Sequence, residues 1–355
     1  MLRDRYDSDK LFEQITALMP KMDPVLAKID AYLEDEELFT LIREDLSRRH
    51  PQTLVTGRNS TPVEVILRML VVKRLYSYSY EETERYVKDS LVLRQFCRLY
   101  LNPVPDDTTL IRQANLIRPE TLEKFNARIT EPAQAAKITT GRKLRTDGTV
   151  VETNIHAPSD NQLLADGVRV LARTVKRARA ACHRVAEVLG ETFTNSTRAA
   201  KQKSREIGKT LRQGGEEAKK AVETAYRELV EMTQKTVAQA QQALALLANE
   251  TDDQARRLAE TLQTFLPRVE QVIRQTERRI FGQENVPARE KLVSLFEVHT
   301  DIIVRGKEGR PVEYGHKVWL DEVDGGIVSH YRILQGNPAD STQPTGPSAA
   351  IWLSS

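Results

Sequence analysis

The chain has 355 residues, 40% hydrophobic, 6% aromatic and 29% charged, enough for two or three domains with an ample core. Fifty-three Lys and Arg against 50 Asp and Glu leave a formal charge of +3, which excludes a uniform polycation and confines any nucleic-acid surface to a local patch. No run approaches the roughly 18 consecutive apolar residues of a membrane span, and MLRDRYDSDK lacks the apolar stretch of a signal peptide.

Up to about residue 140, apolar residues recur at helical spacing: Leu11, Ile15 and Leu18, then Val25, Ile29 and Leu33, then Leu38 and Ile42. The spacing predicts short helices joined by short turns. In Thr61-Pro62-Val63-Glu64 the Thr hydroxyl is placed to cap, Pro62 to take the first helical position and Glu64 to close a capping box. Ile66, Met69, Leu70 and Val72 then supply the buried face of the best-defined helix of this region. Ser79-Tyr80-Glu81-Glu82 repeats the capping-box pattern, and Asp106 to Thr109 precede a helix start at Leu110.

Residues 141–156, GRKLRTDGTVVETNIH, change character, because β-branched residues cluster around Gly148. They predict one strand entering Asp147 and another leaving it. From about 162 to 281 the helical steps return and lengthen, first through Val168, Leu171, Val175, Ala178, Cys182, Val185 and Leu189 without a miss. Further runs pass through Val222, Leu229 and Thr236, and through Leu258, Leu262, Val269 and Val272. Breaks are expected near Asn195-Ser196, Gly214-Gly215 and Thr251 to Asp253, and a kink at Pro267. From Glu297 a three-stranded meander follows: His299 to Val304, Val312 to Val323, a turn at Asp324-Gly325-Gly326, then Ile327 to Leu334. Cys97 and Cys182 offer no metal spacing and no disulfide framework, which fits a reducing, cytoplasmic setting.

Thr146 to Asn154 set one carboxylate, Asp147, beside a glycine in what reads as a short buried strand pair. A buried, unpaired carboxylate is costly, so the position implies a metal, a hydrogen-bonded turn or both. On pattern alone an Asp-Gly hairpin turn is the simpler account.

LRTDGTVVETNIHAPSDNQLLADGVRVL, residues 144–171, resembles the first catalytic-aspartate block of insertion-sequence DDE transposases. YGHKVWLDEVDGGIVSHYRILQGNPAD, residues 314–340, resembles the pair of strands that follows it. STPVEVILRMLVVKRLYSYSYEETERYVKDSLVLRQFCRLYLNPVPDDTTLIR resembles the N-terminal domain of these proteins, so the likeness runs in correct order to Asp340. It implies a ribonuclease H-like core whose two Asp and one Glu bind two divalent metals, Mg²⁺ or Mn²⁺, that cut and rejoin DNA phosphodiesters. Two hard cations about 3.5–4 Å apart require carboxylates rather than Cys or His. Asp147 matches the first acidic ligand. The second Asp is expected on a strand beyond Leu334 and the Glu on a later helix, yet the chain ends about fifteen residues past Asp340. Asp321 and Glu322 point to opposite faces of a strand and Asp324 sits in a turn, so none replaces them. The switch after Gln343 to PTGPSAAIWLSS implies a frameshift or early stop, hence a truncated, inactive transposase with a disordered tail at 341–355.

The expected fold class is α+β, mostly α. A helical bundle at 1–140 precedes the first strands of an incomplete ribonuclease H-like sheet at 141–161, a long antiparallel coiled-coil insertion at 162–283 and the remaining β-meander at 290–340. The resemblance implies DNA as partner, at the terminal inverted repeats of an insertion sequence, and the insertion suits a homo-oligomer that brings two DNA ends together. Arg142, Lys143 and Arg145 flank the Asp147 strand, placed either to meet phosphates or to act as solvated linker charges. Arg94, Arg98 and Arg112 lie where helices started by Asp89-Ser90 and Asp107-Thr108 can form a helix-turn-helix, or simply support the core. Of the histidines, His156, His183, His299, His316 and His330 show no ligand spacing. The competing reading is a non-catalytic DNA-binding or coiled-coil interaction fragment.

Overall fold

The computed structural model describes residues 1–18, 21–49, 52–135, 138–139, 144–190, 192–248, 250, 252–307 and 309–343. They divide into two compact units: Met1–Thr146 with Asp321–His330, and Asp147–Leu320 with Tyr331–Pro344. The chain is mostly helical with a small antiparallel sheet, as expected for an α+β protein dominated by helix.

The first unit contains α1 (Lys10–Thr16), α2 (Pro24–Tyr32), α3 (Glu36–Ser47), α4 (Val63–Leu75), α5 (Tyr80–Asp89), α6 (Leu91–Phe96), α7 (Asp107–Ala114) and α8 (Pro119–Ala135). Short helices are marginal alone, and here their free N-terminal amides are answered by side chains. Asp9, Asp23, Asp35, Ser90 and Asp106 each cap a helix, and Ser79 with Glu82 forms the expected reciprocal box. α4 is the exception. Its cap residue is Pro62 with no side-chain bond, so the expected Thr61–Glu64 box does not form. Instead the carbonyls of Arg3 and Asp4 accept from the amides of Val63 and Glu64, and the N-terminal segment does the capping. α4 is buried all round from Val63 to Met69, with Val63, Val65, Ile66, Met69 and, a turn later, Val72 at zero exposure, and the core of Leu26, Phe39, Ile42, Leu46, Phe96 and Leu110 packs on it. Two expectations shift by a residue or a turn. In α1 it is Phe12 that is buried while Leu11 and Leu18 are exposed, and α7 begins at Asp107 rather than Leu110.

The second unit is built on α9 (Asp160–Ala181), with α10 (His183–Val188), α11 (Thr197–Thr210), α12 (Glu216–Leu247) and α13 (Asp253–Thr276). α9 packs against α11, α12 and α13, and α12 against α11 and α13, as a bundle. The apolar run from Val168 to Leu189 is buried throughout, but it is not one helix: Cys182 takes an extended conformation and separates α9 from α10. The other breaks fall where expected, at Ser196, at Gly215 with φ +88°, and at Asp252, whose carboxylate caps α13. α13 continues as helix through Pro267. Gly167 lets α9 and α13 approach, since a β-carbon there would lie 2.9 Å from Val269 Cγ2.

The sheet comprises β1 (Leu144–Glu152), β2 (Asp301–Lys307), β3 (Arg310–Val323) and β4 (Ile327–Leu334), ordered β1-β3-β2 with β4 also paired to β3. The meander follows the sequence reading, and Gly325 and Gly326 take the positive φ of its turn. The region around Asp147 does not. Leu144–Glu152 is one continuous strand, not two strands meeting at a turn.

Candidate nucleic-acid and metal site

Along β1 exposure alternates, leaving Arg145, Asp147, Thr149 and Val151 exposed and Gly148 buried. The expectation of a buried Asp147 is therefore corrected, because alternation puts the burial on its neighbour. Asp147 Oδ1 accepts the Gly148 amide at 2.8 Å. The glycine is explained by close approach rather than by a turn: a β-carbon at 148 would lie 2.9 Å from Asp340 Oδ1 and 3.2 Å from Lys317 Cε. Lys317 is itself buried, its ammonium 2.6 Å from Asp340 Oδ1 and donating to the Pro338 carbonyl at 2.5 Å. That bond network lays the segment around Asp340 over the strand that carries Asp147. Gly315 does the same for β3, where a β-carbon would stand 2.1 Å from the Val151 carbonyl.

Among the described residues, no group of three His, Cys, Asp or Glu side chains is arranged to hold a metal ion. Divalent Mg²⁺ takes a full octahedral oxygen shell and Asp147 offers one carboxylate, so the described residues do not by themselves fit a two-metal centre. Arg145 is exposed on β1, whereas Arg142 and Lys143 lie outside the described residues.

Asp321, which the strand pattern alone sets aside as a ligand, is deeply buried. It is 1% exposed, and neither carboxylate oxygen has a hydrogen-bond partner among the described residues. An unpaired buried charge costs on the order of several kcal/mol, so this position is the least satisfied in the hairpin. Glu322 is half-buried and faces the other way, as the strand alternation requires. Asp324 is accounted for by the turn, where it accepts from the Thr139 hydroxyl at 3.0 Å.

In the second unit the pairing of Asp301 with Gly315 brings together two histidines seventeen residues apart in sequence. His299 Nδ1 and His316 Nε2 are 2.8 Å apart. Glu297 lies 2.9 Å from His299 Nε2 and Asp301 3.8 Å from His316 Nδ1. The carboxylates thus sit at the far sides of the two rings, so the four groups do not converge on one ion. A cleft of about 520 Å³ beside α9 and α11 is lined by His156, Arg169, Lys201 and Arg205 together with Asp166 and Glu297.

The N-terminal arginines are mostly turned inward. Arg94 donates to the carbonyls of Tyr100 at 2.9 Å and Asn102 at 2.6 Å, and Arg98 pairs with Asp30 and Glu34. Both hold the chain after α6 in place and are not available to phosphate. α6 and α7 are separated by residues 97–106, too long a connection for the three- or four-residue turn of a helix-turn-helix. Arg112 remains on the surface, bonded among the described residues to Thr108 and Thr109. At the centre of the unit Arg68 is fully buried: it binds Asp30, Glu34 Oε1 at 2.9 Å, Glu64 Oε1 at 3.2 Å and the Phe96 carbonyl at 3.2 Å.

Residues 13–115, from within α1 to the end of α7, match the family model of a transposase domain (DUF772). No curated protein and no solved structure matches the chain. The match supports a transposase role and falls on the unit whose interior Arg68 organises. No helix among the described residues is long and apolar enough to cross a membrane.

Proposed function

We propose that this chain is a DDE-type transposase protein whose described residues bind DNA, at the inverted repeats of an insertion sequence. The observation that carries the reading is the transposase-domain match over residues 13–115. Two further features support it. The β1 strand presents Asp147 to solvent, the disposition needed by the first acidic ligand of a ribonuclease H-like core, and Arg145 is exposed on the same strand. The long helices α12 and α13 provide a coiled-coil-like surface on which a second copy can pair, so that two DNA ends are held together.

On this reading phosphodiester cleavage requires two carboxylates besides Asp147, holding Mg²⁺ or Mn²⁺. The described residues bring no such set together. They are assigned DNA binding without chemistry, the inactive form of the transposase.

The test is a mobility-shift titration of the full chain against a duplex bearing the inverted repeats that flank its coding sequence, with a scrambled duplex as control. Specific binding that weakens steeply with salt is expected, as for any protein that neutralises phosphates. A nicking assay with Mg²⁺ or Mn²⁺ is expected to give no difference between the natural chain and Asp147→Ala. Absence of DNA binding would overturn the whole reading. Metal-dependent nicking that Asp147→Ala abolishes would overturn the inactive assignment and leave an active enzyme.

A further inference from the structure

α4 ends in a turn that a glycine normally makes. The Ser77 amide bonds to the Arg74 carbonyl at 3.3 Å and the Tyr78 amide to the Lys73 carbonyl at 3.0 Å, the two bonds of a Schellman motif. Ser77 stands at its left-handed position with φ +56°, a conformation uncommon for any residue but glycine. The reversal brings Tyr76 and Tyr78 face to face, 5.4 Å between ring centroids and 22° between planes. α5, fixed at its start by the Ser79–Glu82 box, adds Tyr86 to the stack at 4.6 Å and 29° from Tyr78. The two outer rings, Tyr76 and Tyr86, keep 38% and 39% of their surface exposed. Tyr78 packs against the core, whereas Tyr76 and Tyr86 extend the stack out to the surface.

Cations frame the stack. The Arg85 guanidinium lies 4.9 Å from the Tyr86 ring centre and the Lys73 ammonium 4.5 Å from that of Tyr80. Arg74 and Lys88 belong to the same two helices. Elsewhere in this unit Arg68, Arg98, Arg118 and Arg128 all have carboxylates within 4 Å. Among the described residues Lys73, Arg74, Arg85 and Lys88 have none. Of the local acids, Glu82 accepts the Ser79 amide and Glu84 the Asp107 amide. Burial, and then the charge of Arg74, push the Lys73 ammonium below its ordinary range, a strain that a nearby anion relieves.

We propose that Tyr76, Tyr78 and Tyr86, with Lys73 and Arg85, form a stacking platform for unpaired bases of single-stranded DNA. The inference rests on the DNA-binding reading above and deepens it by naming the site and the strand state. Aromatic rings with interleaved cations take a strand whose base faces are open, the recurring arrangement of single-strand binding surfaces. A paired duplex hides those faces within its own stack, so it offers the platform only phosphates.

The experiment is fluorescence anisotropy of the full chain with a short labelled single strand and with the blunt duplex of the same sequence. Tyr86→Leu and Tyr76→Leu are expected to weaken single-strand binding roughly five- to hundredfold, as loss of one stacked base does, while duplex binding changes less than about twofold. Tyr86→Phe, which keeps the ring, retains single-strand binding. The exposed Arg85→Glu change, which does not touch the core, weakens it as well and guards against a folding defect in the leucine variants. If the natural chain binds duplex but the tyrosine and Arg85 variants bind single strands as it does, the platform is wrong and the DNA-binding reading stands. If the natural chain binds neither form, both fail. Equal loss on duplex and single strand would assign the patch to backbone contact and overturn the stacking role.

Discussion

In the N-terminal unit the largest fully buried side chain is an arginine, Arg68, with its guanidinium divided among three carboxylates and a carbonyl. In the helical bundle the corresponding positions are Leu164, Leu171, Leu229 and Leu262, all at zero exposure in one apolar cluster. The difference follows helix length. Helices of 6 to 13 residues, such as α6 and α4, cannot carry a long apolar stripe, and their unit adds caps and ion pairs to its apolar core. α12, at 32 residues, repeats its stripe often enough that packing alone aligns it. The first kind of interior is directional, since it holds only if every partner is present. The second is tolerant, because apolar contacts are many and individually small.

The sharpest way to break this comparison is Arg68→Met. Removing the buried member of the ionic set leaves Asp30 and Glu34 to Arg98 and Glu64 to the more distant Arg5, and a loss of about 3–5 kcal/mol is expected. Hydrogen exchange should rise across α2, α4 and α6 while α12 keeps its protection. Protection unchanged in α4 would show that the network is ornamental. A slightly smaller loss, about 2–5 kcal/mol, is expected for Leu171→Ala, by cavity formation in the bundle, with denaturant titration as the measure. Unlike the arginine change, it should be nearly independent of salt and of pH near neutrality.

The two interiors should also fail at opposite ends of the pH scale. Burial raises the Glu34 carboxyl, but Arg98 and Arg68 outweigh it and leave it below its ordinary value. Asp35 and Asp45 end lowered in the same way, against burial, through Arg128 and through the Arg118 amide. Carboxylates lowered in the folded state stabilise it above the unfolded value of about 4, and that stability drains as pH falls through the folded values. In the bundle, burial and then the Asp160 charge push the Tyr226 hydroxyl up to about 12. An acid raised on folding stabilises below its unfolded value of about 10 and loses that contribution, roughly 3 kcal/mol, between about 10 and 12. Residue-resolved exchange should therefore show acid opening the N-terminal helices first and alkali opening the contacts of Tyr226 first. The reverse order would remove the ionic and apolar distinction.

The same contrast explains what was legible in the sequence. The long helices and the β-meander could be read because apolar stripes repeat with periods of 3.6 and 2, and their breaks because Gly215 and Asp252 carry their own turn and cap chemistry. Cys182 was not legible, since an apolar stripe continues across a single extended residue without changing its spacing. Around Asp147 the Asp-Gly pair imitates a turn, and only Lys317 and Asp340, distant in sequence, reveal that Gly148 is there to let them approach. Arg94 and Arg98 carry no mark of pointing inward, because their partners are carbonyls and the acids of α2 and its C-terminal connection. The tyrosine stack depends on a left-handed serine, which a propensity scale places nowhere in particular.

Capping is the finest of these distinctions and gives the smallest expected effect. Ser79→Ala removes the hydroxyl that accepts the Glu82 amide at 3.1 Å and leaves in place the backbone amide of residue 79, which donates to the Glu82 carboxylate at 2.8 Å. The loss should be about 1 kcal/mol, confined to the start of α5. α4, capped by the Arg3 and Asp4 carbonyls rather than by a side chain, should be indifferent to Thr61→Ala, although its sequence advertises a cap there just as strongly. Comparing the two alanine variants by urea denaturation thus asks whether the caps that act are the ones the structure shows. Equal losses from both would mean that the Thr61 hydroxyl caps α4 in solution and that the N-terminal segment does not.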